Sequence, residues 1–167
     1  MSIALHLLLG VPAGLFLANA IEWKVHRILH ERGRIKGSFW AFHFYTHHGV
    51  ARSNGFHDRT CGPRPRMILW SAVVYAPLAL VLPGVALGTL ISVALYWWIH
   101  HKAHRDPDWA VRWVPWHVEH HMAHDEEANW CVIFPWFDWI MGTRVKYFGT
   151  DREGELRLIR TGGVSKT

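Results

Sequence analysis

Long apolar tracts alternate with polar, histidine-bearing segments along this chain. From Met1 to Trp23 the one formally charged residue is Glu22, and from Met67 to His101 there is none. A soluble domain rarely strings so many residues without a charge, whereas a helix needs ~20 apolar residues to cross ~30 Å of hydrocarbon. The pattern predicts a single domain over residues 1–167. It is an all-α integral membrane protein with about three transmembrane helices (3–23, 67–82, 85–101), a histidine-rich helical cap and a C-terminal tail over about 145–167. The first helix is expected to continue through His26 and His30 and to stop near Arg32-Gly33, where glycine caps a helix C-terminus. The second span is short and fits a bilayer that thins locally. Pro83-Gly84 reads as a tight turn. The third span runs on into the polar stretch from His100 to Arg105.

Charge then orients the spans. All 18 Lys and Arg lie outside the apolar tracts, in the two segments that follow the first and third spans. An odd number of spans puts both segments on one side, and the positive-inside rule makes that side cytosolic. The N-terminus is therefore expected outside and the cap in the cytosol. The net charge of +5 reads as membrane-flanking positive segments rather than as a nucleic-acid surface. Leu17-Ala18-Asn19-Ala20 resembles a signal-peptide cleavage site, but no Lys or Arg precedes the apolar run, so an uncleaved first span is expected. Trp23, Trp97 and Trp98 fall at the inner ends of spans, as interfacial indoles do. The segment Trp130 to Met141 is too short and proline-broken to cross and is expected to lie against the inner interface.

The 14 histidines carry the chemistry. Four clusters stand out: His26/His30, His43/His47/His48, His100/His104 and His117/His120/His121. On a helix, residues at i and i+4 share a face with Cβ atoms ~5–6 Å apart, so each HX3H pair can present two imidazoles to one ion. The first five map onto the second five at offsets of 74, 74, 74, 73 and 73 residues. Each half thus delivers an HX3H pair at the inner end of a span, then twelve residues, then a second cluster. The flanking residues match poorly. Ten histidines exceed the four ligands of a structural zinc, whereas two six-coordinate ions would use them and keep open positions. Adjacent rings on a helix point ~100° apart, which makes His48 and His121 the weakest candidates by spacing. His6, His57, His101 and His124 fall outside the repeat. Glu22, Glu119, Asp125 and Asn129 are candidates to orient the rings from behind. Cys61 and Cys131 form no CxxC, which argues against a disulfide framework or a thiolate zinc site.

These clusters resemble the fatty acid hydroxylase superfamily of sterol desaturases, sterol C4-methyl oxidases, lipid 2-hydroxylases and carotenoid hydroxylases. The family order is HX3–4H, HX2–3HH, HX3H, HX2HH, matched by the ten histidines above. A following aromatic stretch is matched by Asn129-Trp130 and by Pro135 to Thr143, with Cys131 where glycine is expected. The resemblance covers roughly residues 20 to 145. It implies two iron ions, O2 and hydroxylation or desaturation of an unactivated C–H bond in a fatty acyl chain, sterol or carotenoid. Zinc has no redox chemistry and is expected only as a substitute. No CXXCH, four-cysteine or Rossmann fingerprint is present, so electrons must come from an external donor such as a ferredoxin or a cytochrome b5-like protein. Many members have more spans, so a homo-oligomer would complete the substrate tunnel. The expected location is a bacterial inner membrane or, alternatively, the endoplasmic reticulum. Two other classes compete: a membrane metal transporter or store, and a histidine-ligated haem protein, which would leave eight of the ten histidines unexplained.

Overall fold

The computed structural model describes residues 3–38, 40–62 and 65–159, and the described residues are overwhelmingly helical. Helix α1 (Ile3–Gly33) is followed by a π-helical turn (Phe42–His48) and the short α2 (Gly49–Ser53). Helices α3 (Pro65–Val81) and α4 (Pro83–Arg105) come next, then the short α5 (Pro107–Trp113), α6 (Pro115–Met122) and α7 (Trp136–Ile140). A 3-10 turn (Asp151–Glu155) ends the ordered elements, and part of the expected tail, 160–167, lies outside the described residues.

Two helices, Ala4–Gly33 and Pro83–Arg105, are long and apolar enough to cross a bilayer. Only 17% and 33% of their most apolar windows are buried inside the protein. A soluble core helix would be mostly covered, so these faces ask for lipid. Helix α3 occupies the expected second span, but its 17 residues reach only about 25 Å at 1.5 Å per residue. The turn between α3 and α4 falls at Leu82 rather than at Pro83-Gly84. Pro83 instead takes the first helical position, where its fixed φ and missing N–H are harmless.

Gly84 has a different task. A Cβ there would run into the His6 carbonyl of α1, and one on Gly10 would lie 2.8 Å from the Gly84 Cα. One turn on, a Cβ on Gly14 would meet the Val85 carbonyl, and one on Gly88 would meet the Val11 carbonyl. The two helices therefore cross backbone to backbone at paired small residues, as packed helices in lipid do. Gly10 and Gly14 stand 74 residues before Gly84 and Gly88, and Trp23 stands 74 before Trp97. The repeat thus extends from the histidines into the spans.

The cap has its own core. Phe56, Ile99, Ala103, Ala110, Val114, Val118, Met122, Val132 and Ile133 pack together, and Trp23, Trp130 and Cys131 form a second cluster. Proline opens α5 and α6, and the Asp106 side chain caps α5 by accepting from the Trp109 N–H at 3.1 Å. The aromatic segment expected at the interface divides in two. Trp130 to Ile133 are buried core, whereas Trp136, Trp139, Ile140 and Met141 are exposed. Asn19 of α1 clasps this segment, donating to the Phe134 carbonyl at 2.9 Å and accepting from the Phe137 N–H at 3.2 Å.

Candidate metal centre

The last turns of α1 and α4 point His26, His30, His100 and His104 inward, and all four are buried. The π turn and α6 close over them with His43, His47 and His48 on one side and His117, His120 and His121 on the other. The π turn explains the spacing of the second cluster. HX3HH has one residue more than the HX2HH of α6, and a π turn absorbs one inserted residue through i→i+5 bonding. His43, His47 and His48 therefore return to the same region that His117, His120 and His121 reach on an ordinary helix.

The rings form two groups. The ligand-capable nitrogens of His26, His30, His48 and His120 all lie within 4.8 Å of one another, and so do those of His47, His100, His104 and His121. His117 joins the second group, with its Nε2 3.2 Å from His104 Nε2. His43 joins the first, with its ring 4.8 Å from His26 and 4.9 Å from His48. The 74/73-residue offset carries one group of five onto the other, with His47 and His120 exchanged between halves. Equivalent distances agree. His26–His120 at 4.4 Å corresponds to His100–His47 at 4.8 Å, His30–His48 at 4.4 Å to His104–His121 at 4.6 Å, and His43–His48 at 4.9 Å to His117–His121 at 4.7 Å. His48 and His121, equivalent to each other, stack at 4.0 Å between the two groups.

This arrangement corrects the expectation about adjacent rings. Their ~100° divergence is what lets each HH pair serve two groups, His47 and His120 reaching across while His48 and His121 stay with their own half. His6 lies at the far end of α1, away from the cluster, and His124 is exposed. His57 and His101 also stay outside both groups.

The donor set fits metal ions. Eight buried ring nitrogens have no hydrogen-bond partner: one each on His26, His30, His43, His100, His117 and His120, and both on His121. Leaving such a group unpaired costs roughly 1–3 kcal/mol, so the cluster asks for cations. Nε2 atoms approach at 3.0 Å (His30–His48) and 3.1 Å (His47–His100). Two nitrogens bound at ~2.1 Å and roughly 90–100° to one ion lie about that far apart. Burial holds His43, His48, His117, His120 and His121 well below the ordinary histidine pKa, and neutral imidazole is the ligating form. Both cysteines are free and neither belongs to the two groups, and burial pushes the Cys61 thiol up to about 12.

Four rings are fixed from behind through Nδ1. His26 donates to the Trp130 carbonyl at 2.5 Å, His120 to Ala128 at 2.7 Å and His104 to Phe56 at 2.8 Å. His47 faces the Asp58 carboxylate at 2.7 Å. Donation from Nδ1 leaves Nε2 free for an ion. Phe56 and the residue before Trp130, Asn129, adopt positive φ of 79° and 59°, a conformation uncommon outside glycine. The acids expected behind the rings act one step further out. Glu22 accepts from the Val132 N–H at 2.5 Å, and Glu119 accepts from Tyr147 N–H and Arg144 at 2.7 and 2.6 Å. Asn129 binds the backbone of Val145, and Asp125 accepts from the Glu127 N–H. Asp138 receives the N–H groups of Trp130 and Cys131 at 2.9 and 2.8 Å, which fixes the carbonyl that holds His26. Asp58 carried no signal in the sequence, being a lone acid outside the histidine runs, whereas Asp138 falls within the aromatic stretch, Pro135 to Thr143, that the family resemblance matched.

Comparison with curated proteins and with solved structures returned no match. The fatty acid hydroxylase family model matches residues 11–143. That span takes in Gly14, Gly84 and Gly88 of the glycine crossing, both HX3H pairs, the π turn, α6 and the aromatic segment through Thr143, and the chain belongs to the fatty acid hydroxylase family.

Proposed function

We propose that this protein hydroxylates or desaturates a membrane lipid at a di-iron centre held by His26, His30, His43, His48 and His120 on one side and His47, His100, His104, His117 and His121 on the other. The observation that carries this reading is the pair of five-histidine groups, nine of the ten rings buried, with eight ring nitrogens that have no hydrogen-bond partner. Iron at both groups, supplied with O2, provides the oxidising power that C–H cleavage needs. In hydroxylation one oxygen atom enters the lipid and the other leaves as water, with two electrons and two protons from outside. The donor is an external carrier protein, drawn to the basic cytosolic cap.

The protein's own residues place the reaction. The groups sit at the ends of α1 and α4, so a lipid tail can reach them from the bilayer without crossing the cap. Tyr96, one turn before His100, stacks on its ring at 5.4 Å on the side of the span. The Asp138-anchored loop and the core around Phe56 close the opposite side against water. The one-sided Lys and Arg support a cytosolic cap and an external N-terminus, with α3 completing a third crossing. A metal store or transporter would place ligands along the span, whereas these histidines occupy only its last turns and the π turn and α6 beyond them. Iron analysis of purified, anaerobically loaded protein tests the centre. Two ions per chain without a haem Soret band are expected, and a Soret band or fewer than two ions would overturn the reading.

A further inference from the structure

The repeat makes the two histidine groups near copies, and ions held by the rings alone would be bound about equally. The groups differ behind the rings. Each has two Nδ1 atoms fixed by an acceptor. In the first group both acceptors are carbonyls, Trp130 for His26 and Ala128 for His120. In the second, His104 has the Phe56 carbonyl but His47 has a carboxylate, Asp58 Oδ2 at 2.7 Å. His47 and His120 are equivalent positions, so the same place in the two halves carries a full negative charge in one and a neutral dipole in the other.

Asp58 is placed to keep that charge. It is 1% exposed, and its other oxygen accepts from the Thr60 N–H and hydroxyl, both at 2.7 Å. Among the described residues, the ion pair it makes is with His47. A carboxylate behind an imidazole strengthens that imidazole as a ligand, and such outer contacts are worth roughly 10–100-fold in metal affinity. Arg52 sets a positive charge behind the first group, its Nη2 3.3 Å from His48 Nδ1, and Glu126 pairs with it at 2.5 Å.

We propose that Asp58 is a positioning residue that makes the two metal sites unequal, so that the site around His47, His100, His104 and His121 binds its ion more tightly and fills first. This rests on the di-iron reading above. The test uses the full-length protein in detergent, stripped of metal and loaded anaerobically with one equivalent of iron-57 and then one of natural iron. Mössbauer spectra report where the first equivalent sits. Wild type should give one dominant doublet, with the two stepwise affinities separated by about 10–100-fold. Asp58→Asn should still take two ions, with the first equivalent divided between two doublets and the separation reduced to a few-fold. An undivided first equivalent in Asp58→Asn, or a divided one in wild type, would overturn the proposal. If Asp58→Asn does not accumulate, ligand variants decide it. The first doublet should survive His30→Ala and vanish in His104→Ala, and the reverse order would refute the assignment. Wild type that takes fewer than two ions overturns the di-iron reading itself, which is a different result from two ions loaded without order.

Discussion

Acid should loosen the metal-free protein steeply, and the burial of its histidines sets the size of the effect. His48, His117, His120 and His121 are each 0% exposed, and burial holds each pKa well below the ordinary 6.5. The unfolded chain takes up a proton at each of these as pH falls through 6.5, while the folded chain does not. A depressed folded pKa gives stability that is complete above the unfolded pKa and lost as pH falls below it. At one unit below, each histidine costs on the order of 1 kcal/mol, so the four together remove several kcal/mol. That approaches the whole stability of many domains, ~5–15 kcal/mol. Tryptophan fluorescence melts of apoprotein in detergent should drop by on the order of 10–20 °C between pH 7.5 and 5.5, at ~2–4 °C per kcal/mol. Iron-loaded protein should resist until the metal is displaced, and iron release should accompany the loss. Equal apoprotein melts at the two pH values would show that these rings are solvated and that the buried cluster is misplaced.

Five substitutions and two deletions probe the arrangement from other directions. His30→Ala and His104→Ala occupy equivalent places, so each should lower activity at least 10–100-fold, while His6→Ala and His57→Ala should change little in the same product assay. Gly14→Leu drives a side chain into the α4 backbone, and overpacking of this kind costs ~1–3 kcal/mol. Its melt in detergent should fall and its iron content should fall with it, because the crossing sets the spacing of the HX3H pairs. Deleting Tyr45 should turn the π turn into an α-helix with HX2HH spacing and leave two ions per chain. Deleting Val118 from α6 should abolish binding, and equal iron loss in both deletions would contradict the role given to the π turn.

Two of the three expected spans were legible because charges are absent from them, and the histidines because their spacing repeats. The exchange of His47 and His120 between groups was not legible, since it depends on how the halves face each other. His48 and His121 looked weak on a single helix serving one group, and the structure puts them in different groups, His48 with His26 and His121 with His100. The glycine crossing was hidden because small residues are ordinary in apolar tracts. Its register with the histidine repeat becomes visible only when Gly14 meets Val85 and Gly88 meets Val11. Asp58 stands eleven residues from His47 in a polar loop, and nothing in its neighbours marks it.

The most direct test of the central claim is mass spectrometry of lipids from cells expressing the wild-type chain or His104→Ala, grown under 18O2 at matched protein levels. Wild type should yield a lipid species bearing one added labelled oxygen, or lacking two hydrogens, that the variant does not make. Identical lipid profiles in the two strains, with the wild-type protein carrying its full iron complement, would contradict the account.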